Sequence, residues 1–278
     1  MFFSLILTTF APEKSLNDHF FMLQLQVIAH ANNGHTDKFG IPRQSRTDSP
    51  IITRIVFTPA FRVREALRGI EDYSHLWLVW GFSQVSQANH SSDVQAEGWS
   101  PTVRPPRLGG NTRVGVFATR SPFRPNPLGL TSVRLVGIEE HPQEGMVLLV
   151  KGADLLDGTP IYDIKPYLSF SDSHPDAQNG FAEQTKDYRL EVIWDDFKVQ
   201  PNLDKTSCKP RKNIVAIQEV PQAVKNDIDY ILSQDPRPAY QKDPLREYKL
   251  DYAGYTVTFC VNEEGESRIA QIKKIEKL

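Results

Sequence analysis

Six arginines and no acidic residue lie between Gly98 and Ile138. They are Arg104, Arg107, Arg113, Arg120, Arg124 and Arg134, and no lysine accompanies them. The planar guanidinium fork suits phosphates, carboxylates and the faces of bases, so arginine without lysine points to recognition of such groups. Pro101, Pro105, Pro106, Pro122, Pro125 and Pro127 stiffen the same stretch. A proline-restricted loop loses less entropy when it holds a ligand. A single arginine is most often a solvated surface charge, but this density without acids favours a binding segment.

A second candidate is Gly152-Ala153-Asp154-Leu155-Leu156-Asp157-Gly158-Thr159-Pro160. Asp-Gly marks a turn, and aspartates often bond their own backbone there. Tyr162, Asp163 and Lys165 follow at once, giving more polar groups than a plain hairpin needs. Pro42-Arg43-Gln44 is a third, weaker candidate, with the spacing of an ordinary loop. His75 beside an apolar run reads as a core histidine, and the histidines lack metal-ligand spacing. No G-x-G-x-x-G follows a strand, and neither a phosphate-binding P-loop nor a G-x-S-x-G elbow occurs.

These candidates need a frame to hold them. The chain has 278 residues, 40% hydrophobic and 24% charged, which excludes a disordered or collagen-like protein. The net charge of −2 means that affinity for nucleic acid must come from locally segregated charge. Two cysteines without a C-x-x-C fit a reducing cytoplasm, and no apolar run approaches a membrane span. Residues 1–21 read as a disordered leader ahead of Met22. Phe2–Phe10 is apolar, but no basic residue precedes it and no clear cleavage site follows.

Strands are expected over Leu23–Ala29, Ile51–Phe57, Arg113–Thr119, Leu130–Gly137 and Met146–Val150. Leu76–Phe82 is expected to be a strand buried on both faces. Thr58-Pro59 opens a predicted helix with Val63, Ala66, Leu67 and Ile70 at helical spacing. With one helix between residues 58 and 170, the expectation is a mainly β protein with a barrel or sandwich over 22–170. Ser171–Asp176 reads as a linker. Residues 171–278 then form a smaller α+β domain: a strand through Tyr188–Trp194, a helix over 218–233, a hairpin over Tyr248–Val261 turning at Ala253-Gly254, and a last strand at Arg268–Ile275.

Taken in order, the motifs Pro42-Arg43-Gln44, Ser74-His75-Leu76-Trp77, Pro105-Pro106-Arg107-Leu108-Gly109-Gly110 and Gly115-Val116-Phe117-Ala118-Thr119-Arg120-Ser121-Pro122 belong together. Phe123-Arg124-Pro125-Asn126-Pro127-Leu128-Gly129-Leu130, Asp157-Gly158-Thr159-Pro160 and Asp163-Ile164-Lys165-Pro166-Tyr167 continue the series. The chain resembles the TsaA-like family over about residues 22–170. Asp235-Pro236-Arg237-Pro238-Ala239-Tyr240 is similar to a motif of its bacterial branch.

That resemblance implies a single-sheeted β-barrel, a homodimer and a tRNA methyltransferase. It implies that S-adenosylmethionine donates a methyl group to N6 of threonylcarbamoyladenosine (t6A), next to the anticodon. Cofactor contacts would fall on Pro42, Arg43, Gln44, Ser83, Gln84, Arg120, Leu130, Asp154, Leu155, Leu156 and Asp157. The proton acceptor is open among Asp154, Asp157, Asp163 and Tyr240. Arg104, Arg107, Arg124, Arg237 and Tyr240 would meet the substrate, with Arg124 or Arg237 as the fork for the threonyl carboxylate. The rival reading is a non-catalytic RNA-binding barrel, which has no need of the Asp154–Pro160 turn.

Overall fold

The computed structural model describes residues 24–42, 44–83, 100–105, 108, 112–194, 217–238, 241, 243–265 and 267–278. Arg43, Gln84, Arg107, Tyr240 and the leader therefore lie outside the described residues.

The described chain is mainly β. Strands β1 (Ala29–Asn32), β2 (Ile52–Phe57) and β3 (His75–Gly81) are followed by the short pair β4 (Thr102–Val103) and β5 (Val114–Gly115). Then come β6 (Leu128–His141), β7 (Gly145–Lys151) and β8 (Pro160–Pro166). Six of these pair in the order β1-β2-β7-β6-β3-β8, all antiparallel. Ala29 pairs with Ile161, so β8 returns to β1 and the sheet closes on itself. Closure leaves no unpaired edge in the ring.

Alternation explains the interior. Ile55, Leu76, Leu78, Val133, Leu148, Val150 and Ile161 point inward and are fully or almost fully buried. The expectation that Leu76–Phe82 is buried on both faces is corrected here. Leu76, Leu78 and Trp80 are buried, while His75, Trp77 and Val79 on the other face are only half-buried. The apolar outer face is sheltered by rings rather than by a second layer: Trp77 meets Tyr167 at 5.5 Å between centroids.

Three further expectations change. The first strand starts at Ala29 rather than Leu23. The helix expected after Thr58 is three 3-10 turns, Pro59–Phe61, Arg64–Leu67 and Ile70–Asp72. Val63 between the first two is extended, at φ −105° and ψ 112°, and Thr58 makes no side-chain cap, so no continuous α-helix forms. Of Arg113–Thr119 only β5 is strand, and Val116–Ala118 turns as 3-10.

The supposed linker is fastened to the barrel at its start. A one-turn helix, α1 (Ser169–Asp172), places Asp172 where its Oδ2 accepts hydrogen bonds from Trp77 Nε1 (2.8 Å) and the Leu168 amide (2.9 Å). Beyond it, β9 (Glu191–Trp194), β10 (Tyr248–Tyr252), β11 (Tyr255–Glu264) and β12 (Ser267–Lys277) form a second sheet ordered β10-β11-β12-β9. Strand β9 runs parallel to β12. Helix α2 (Gln222–Ser233) begins after Pro221 and buries Ile228, Ile231 and Leu232 against this sheet. The core here includes Ile51, with Phe39 packed against it, so residues from the first half of the chain complete it.

Candidate functional site

Ser45, directly after Gln44, is fastened to β6. Ser45 Oγ donates to the Ser132 carbonyl at 3.0 Å. The Ser45 amide is hydrogen-bonded to the Asp154 carboxylate. Pro42 is buried and Gln44 is exposed. The loop after β1 and the 154–160 turn are knitted together in turn. Asp157 Oδ1 accepts from Asn32 Nδ2 (3.2 Å) and the Asn33 amide (3.0 Å), while Asn33 Nδ2 donates to the Leu155 carbonyl at 3.0 Å. Gly158 N–H reaches the Ala31 carbonyl at 2.8 Å.

Asp154 is the chemically distinctive member. Its Oδ1 accepts from Thr131 Oγ1 at 2.8 Å. Thr131 Oγ1 itself accepts from Trp80 Nε1 at 2.9 Å. Burial pushes the Asp154 pKa above the ordinary carboxylate value. The Thr131 hydroxyl, the Asp154 amide, the charge of Arg120 and the Ser45 amide pull against that rise without cancelling it. Arg120 is exposed, and Leu130, next to Thr131 on β6, keeps its side chain 57% exposed. Ser45, Arg120 and Asp154 thus meet near Thr131 on β6, with Gln44 and Leu130 each the chain neighbour of one of these residues. Ser83 is exposed two residues past Gly81, which pairs with Leu128 at the start of the same strand.

The other expected residues fare differently. The Leu155 side chain belongs to the barrel core at 1% exposure, so only its backbone is open to a ligand role. The Leu156 carbonyl is taken up by the turn, accepting the Thr159 amide (3.1 Å) and hydroxyl (2.7 Å). Asp163 pairs with Lys165 at 3.1 Å on the half-exposed side of β8. Arg124 Nη1 donates to the Thr119 carbonyl at 3.2 Å, and Phe123 beside it is 60% exposed. Arg104 is exposed.

Arg237 is the clearest correction. Rather than an open fork it is 4% exposed, with Nε on Asp235 Oδ1 (2.8 Å), Nη2 on Asp235 Oδ2 (3.0 Å) and a further bond to Glu263. Burial works against its charge, and the two carboxylates outweigh burial, so its pKa rises. Tyr188 completes the cluster by donating to Asp235 Oδ2 at 3.1 Å. Ser45, Thr131 and Trp80 were missed by sequence reasoning. Trp80 and Thr131 lie about fifty residues apart, and only strand pairing joins them; Ser45, directly after Gln44, was within reach of an extended motif.

No group of three or more His, Cys, Asp or Glu among the described residues could hold a metal ion. No helix among them is long and apolar enough to cross a membrane. The architecture is thus a β ring with a half-buried carboxylate near one end of its longest strand and an arginine whose charge reaches it.

Comparison with known proteins gives that architecture its class. The family model described as the tRNA-methyltransferase O N-terminal domain matches residues 30–173, and that of the TrmO C-terminal domain matches 207–276. The chain belongs to the tRNA-methyltransferase O family. It is 43% identical over 204 residues to a tRNA (adenine(37)-N6)-methyltransferase of Eikenella corrodens, covering 73% of this chain and 99% of that one. It is 36% identical over 244 residues to the protein of the same name from Escherichia coli K12, covering 87% and 94%. A crystal structure of TrmO from Pseudomonas aeruginosa superposes with a TM-score of 0.62 at 29% identity, covering 91% of this chain and 98% of that one.

Proposed function

We propose that this protein is an S-adenosylmethionine-dependent tRNA (adenine-N6)-methyltransferase that converts t6A beside the anticodon to its N6-methyl derivative. The reading rests on family membership together with one observation: the half-buried Asp154 carboxylate, held by Thr131 and within reach of the charge of Arg120. A purely phosphate-binding barrel has no use for a carboxylate at its binding end.

The residues present suit the cofactor. Arg120 is a partner for its carboxylate, the exposed Leu130 side chain offers an apolar wall, and Asp154 and Gln44 offer acceptors. Pro42, Arg43, Ser83, Gln84 and the 155–157 backbone complete the set we assign to it. Bound there, S-adenosylmethionine supplies an electrophilic methyl group.

The protein's own residues would orient N6 and deal with its proton. In t6A the N6 lone pair is delocalised into a carbonyl, so a proton acceptor assists the attack. Of the four candidates, Asp163 is paired with Lys165, and Asp157 serves to tie the loop after β1 to the 154–160 turn. Asp154, with its raised pKa, is the acceptor we assign. Arg104, Arg107 and Arg124 would hold the anticodon loop, with Arg124 the fork for the threonyl carboxylate and Tyr240 a stacking surface. Arg237 would then shape the 235–240 segment from within its carboxylate clamp.

The finer features follow the same reading. We assign the ring to the family's single-sheeted barrel, with units at 22–170 and 171–278. A homodimer is favoured by the exposed Phe117, Phe123, Leu128 and Leu130, apolar side chains that a second subunit would cover. A tRNA substrate places the enzyme in the cytoplasm. The deciding experiment is mass spectrometry of nucleosides from tRNA incubated with protein and S-adenosylmethionine, with and without prior threonylcarbamoylation. Methylation only of the carbamoylated tRNA is expected. Methylation of neither, with tRNA still bound, would leave the RNA-binding module.

A further inference from the structure

We propose that Trp80 and Thr131 are positioning residues for the reaction, forming a two-bond relay that fixes the Asp154 carboxylate as proton acceptor. The proposal deepens the function assigned above and rests on it for its catalytic meaning.

The direction of the relay follows from donor chemistry alone. An indole N–H only donates, so the 2.9 Å contact makes Thr131 Oγ1 the acceptor. The hydroxyl has a single proton, and the 2.8 Å contact with Asp154 Oδ1 is where that proton goes. Asp154 Oδ1 is therefore committed as an acceptor. In the reaction, the proton lost from N6 would pass to Asp154 as the N6–methyl bond forms and the methyl–sulfur bond of the donor breaks, its electron pair staying on the neutral sulfur that leaves.

The fold holds the relay rigidly. The pairing of β3 with β8 shifts register between Val79 and Trp80, an irregularity of the kind that re-aims a side chain next to a site. Trp80 pairs with Gly129 on β6, and its indole lies over that glycine so closely that a Cβ there would come within 2.1 Å of the ring. Phe82 closes the other side edge-on at 4.4 Å. Trp80 is 7% and Thr131 3% exposed, so water does not compete for the two bonds. A hydroxyl serving only the core could have been satisfied by a neighbouring carbonyl; this one points out of the barrel interior to the carboxylate at its end. Arg120 is the cation whose charge reaches Asp154, from outside the barrel.

The test has two arms. In the cofactor-free protein, the indole Nε1–H resonance of Trp80, assigned with Trp80→Phe, is followed by NMR against pH. It should titrate with the carboxyl in wild type and in Thr131→Ser, and lose that titration in Thr131→Val and in Asp154→Asn. In the methylation assay, Thr131→Val should lower kcat by about tenfold, the scale of a hydrogen bond to a charged group. It should also shift the acidic limb of the pH profile upward, because the lost bond favoured the ionised acid. Thr131→Ser should recover most of that loss. A Trp80 resonance insensitive to Asp154, or a Thr131→Val enzyme with an unshifted limb and unchanged kcat, would overturn the relay. If wild type methylates nothing, the functional reading fails while the resonance still decides whether the relay exists.

Discussion

His35 and Tyr252 meet edge to face, ring centroids 5.1 Å apart, where the loop after β1 leans on the hairpin of the second sheet. Both imidazole nitrogens are buried without a hydrogen-bond partner among the described residues. Tyr252 in turn donates to Asp227 at 2.8 Å. Burial lowers the His35 pKa from 6.5 to about 4. The unfolded chain takes up this proton near pH 6.5 and the folded one only near pH 4. The unfolded state therefore binds more protons in that window, and stability falls as pH drops through it. The full stabilisation is present above pH 6.5, and the loss approaches about 3 kcal/mol at low pH. Melting temperatures of wild type and His35→Phe between pH 4 and 7.5 should diverge in slope, the variant losing less on acidification. Parallel curves would show that His35 gains a partner as it protonates.

The hairpin between β10 and β11 turns through Ala253 at φ +49° and Gly254 at φ +82°. Two left-handed residues match a two-residue hairpin loop, which asparagine and glycine fit better than alanine. A left-handed conformation costs an alanine roughly 1–2 kcal/mol. Ala253→Asn should raise stability by about 0.5–1 kcal/mol, read from urea unfolding with an unchanged m-value.

Removing Arg237 leaves Asp235 and Glu263 facing each other with no cation between them. Arg237 is buried, but Asp235 is half-buried and Glu263 exposed, so losing these charge-assisted contacts costs on the order of 1.5–3 kcal/mol. Arg237→Ala should therefore lower the melting temperature sharply as well as reduce methylation. An active variant of normal stability would mean the clamp is dispensable. A double change to Arg237→Met with Glu263→Gln should recover part of the stability.

Arg120→Ala should weaken S-adenosylmethionine binding through loss of a charge-assisted contact, on the order of 1.5–3 kcal/mol. Calorimetry at two salt concentrations checks it, because the exposed guanidinium should make the wild-type affinity the more salt-sensitive of the two.

The parts of this molecule legible in sequence are those written in local alternation. β10 follows from period-two alternation, β7 from a short apolar run, and the hairpin from Ala253-Gly254. Asp154 was singled out because its turn carries polar groups in excess. The segment after Thr58 was misread because its helical spacing is real, while the extended Val63 that breaks it carries no sequence mark. Arg237 was misread for a different reason. Its partner Glu263 lies on β11, and only the fold brings a second carboxylate to the Asp235 side of the guanidinium. The Trp80–Thr131–Asp154 chain joins three strand ends and has no local signature at all.

Phe39 and Ile51 fill part of the core built by α2, β10, β11 and β12. On a ribosome these two side chains emerge long before the strands that cover them. At about 5–20 residues per second the delay is on the order of tens of seconds. Throughout it, a nascent barrel would carry a sticky apolar spot waiting for the last hairpin. The C-terminal strands therefore act as the closing step of synthesis, and a chain truncated before β12 becomes a client for chaperones or proteases rather than a smaller enzyme.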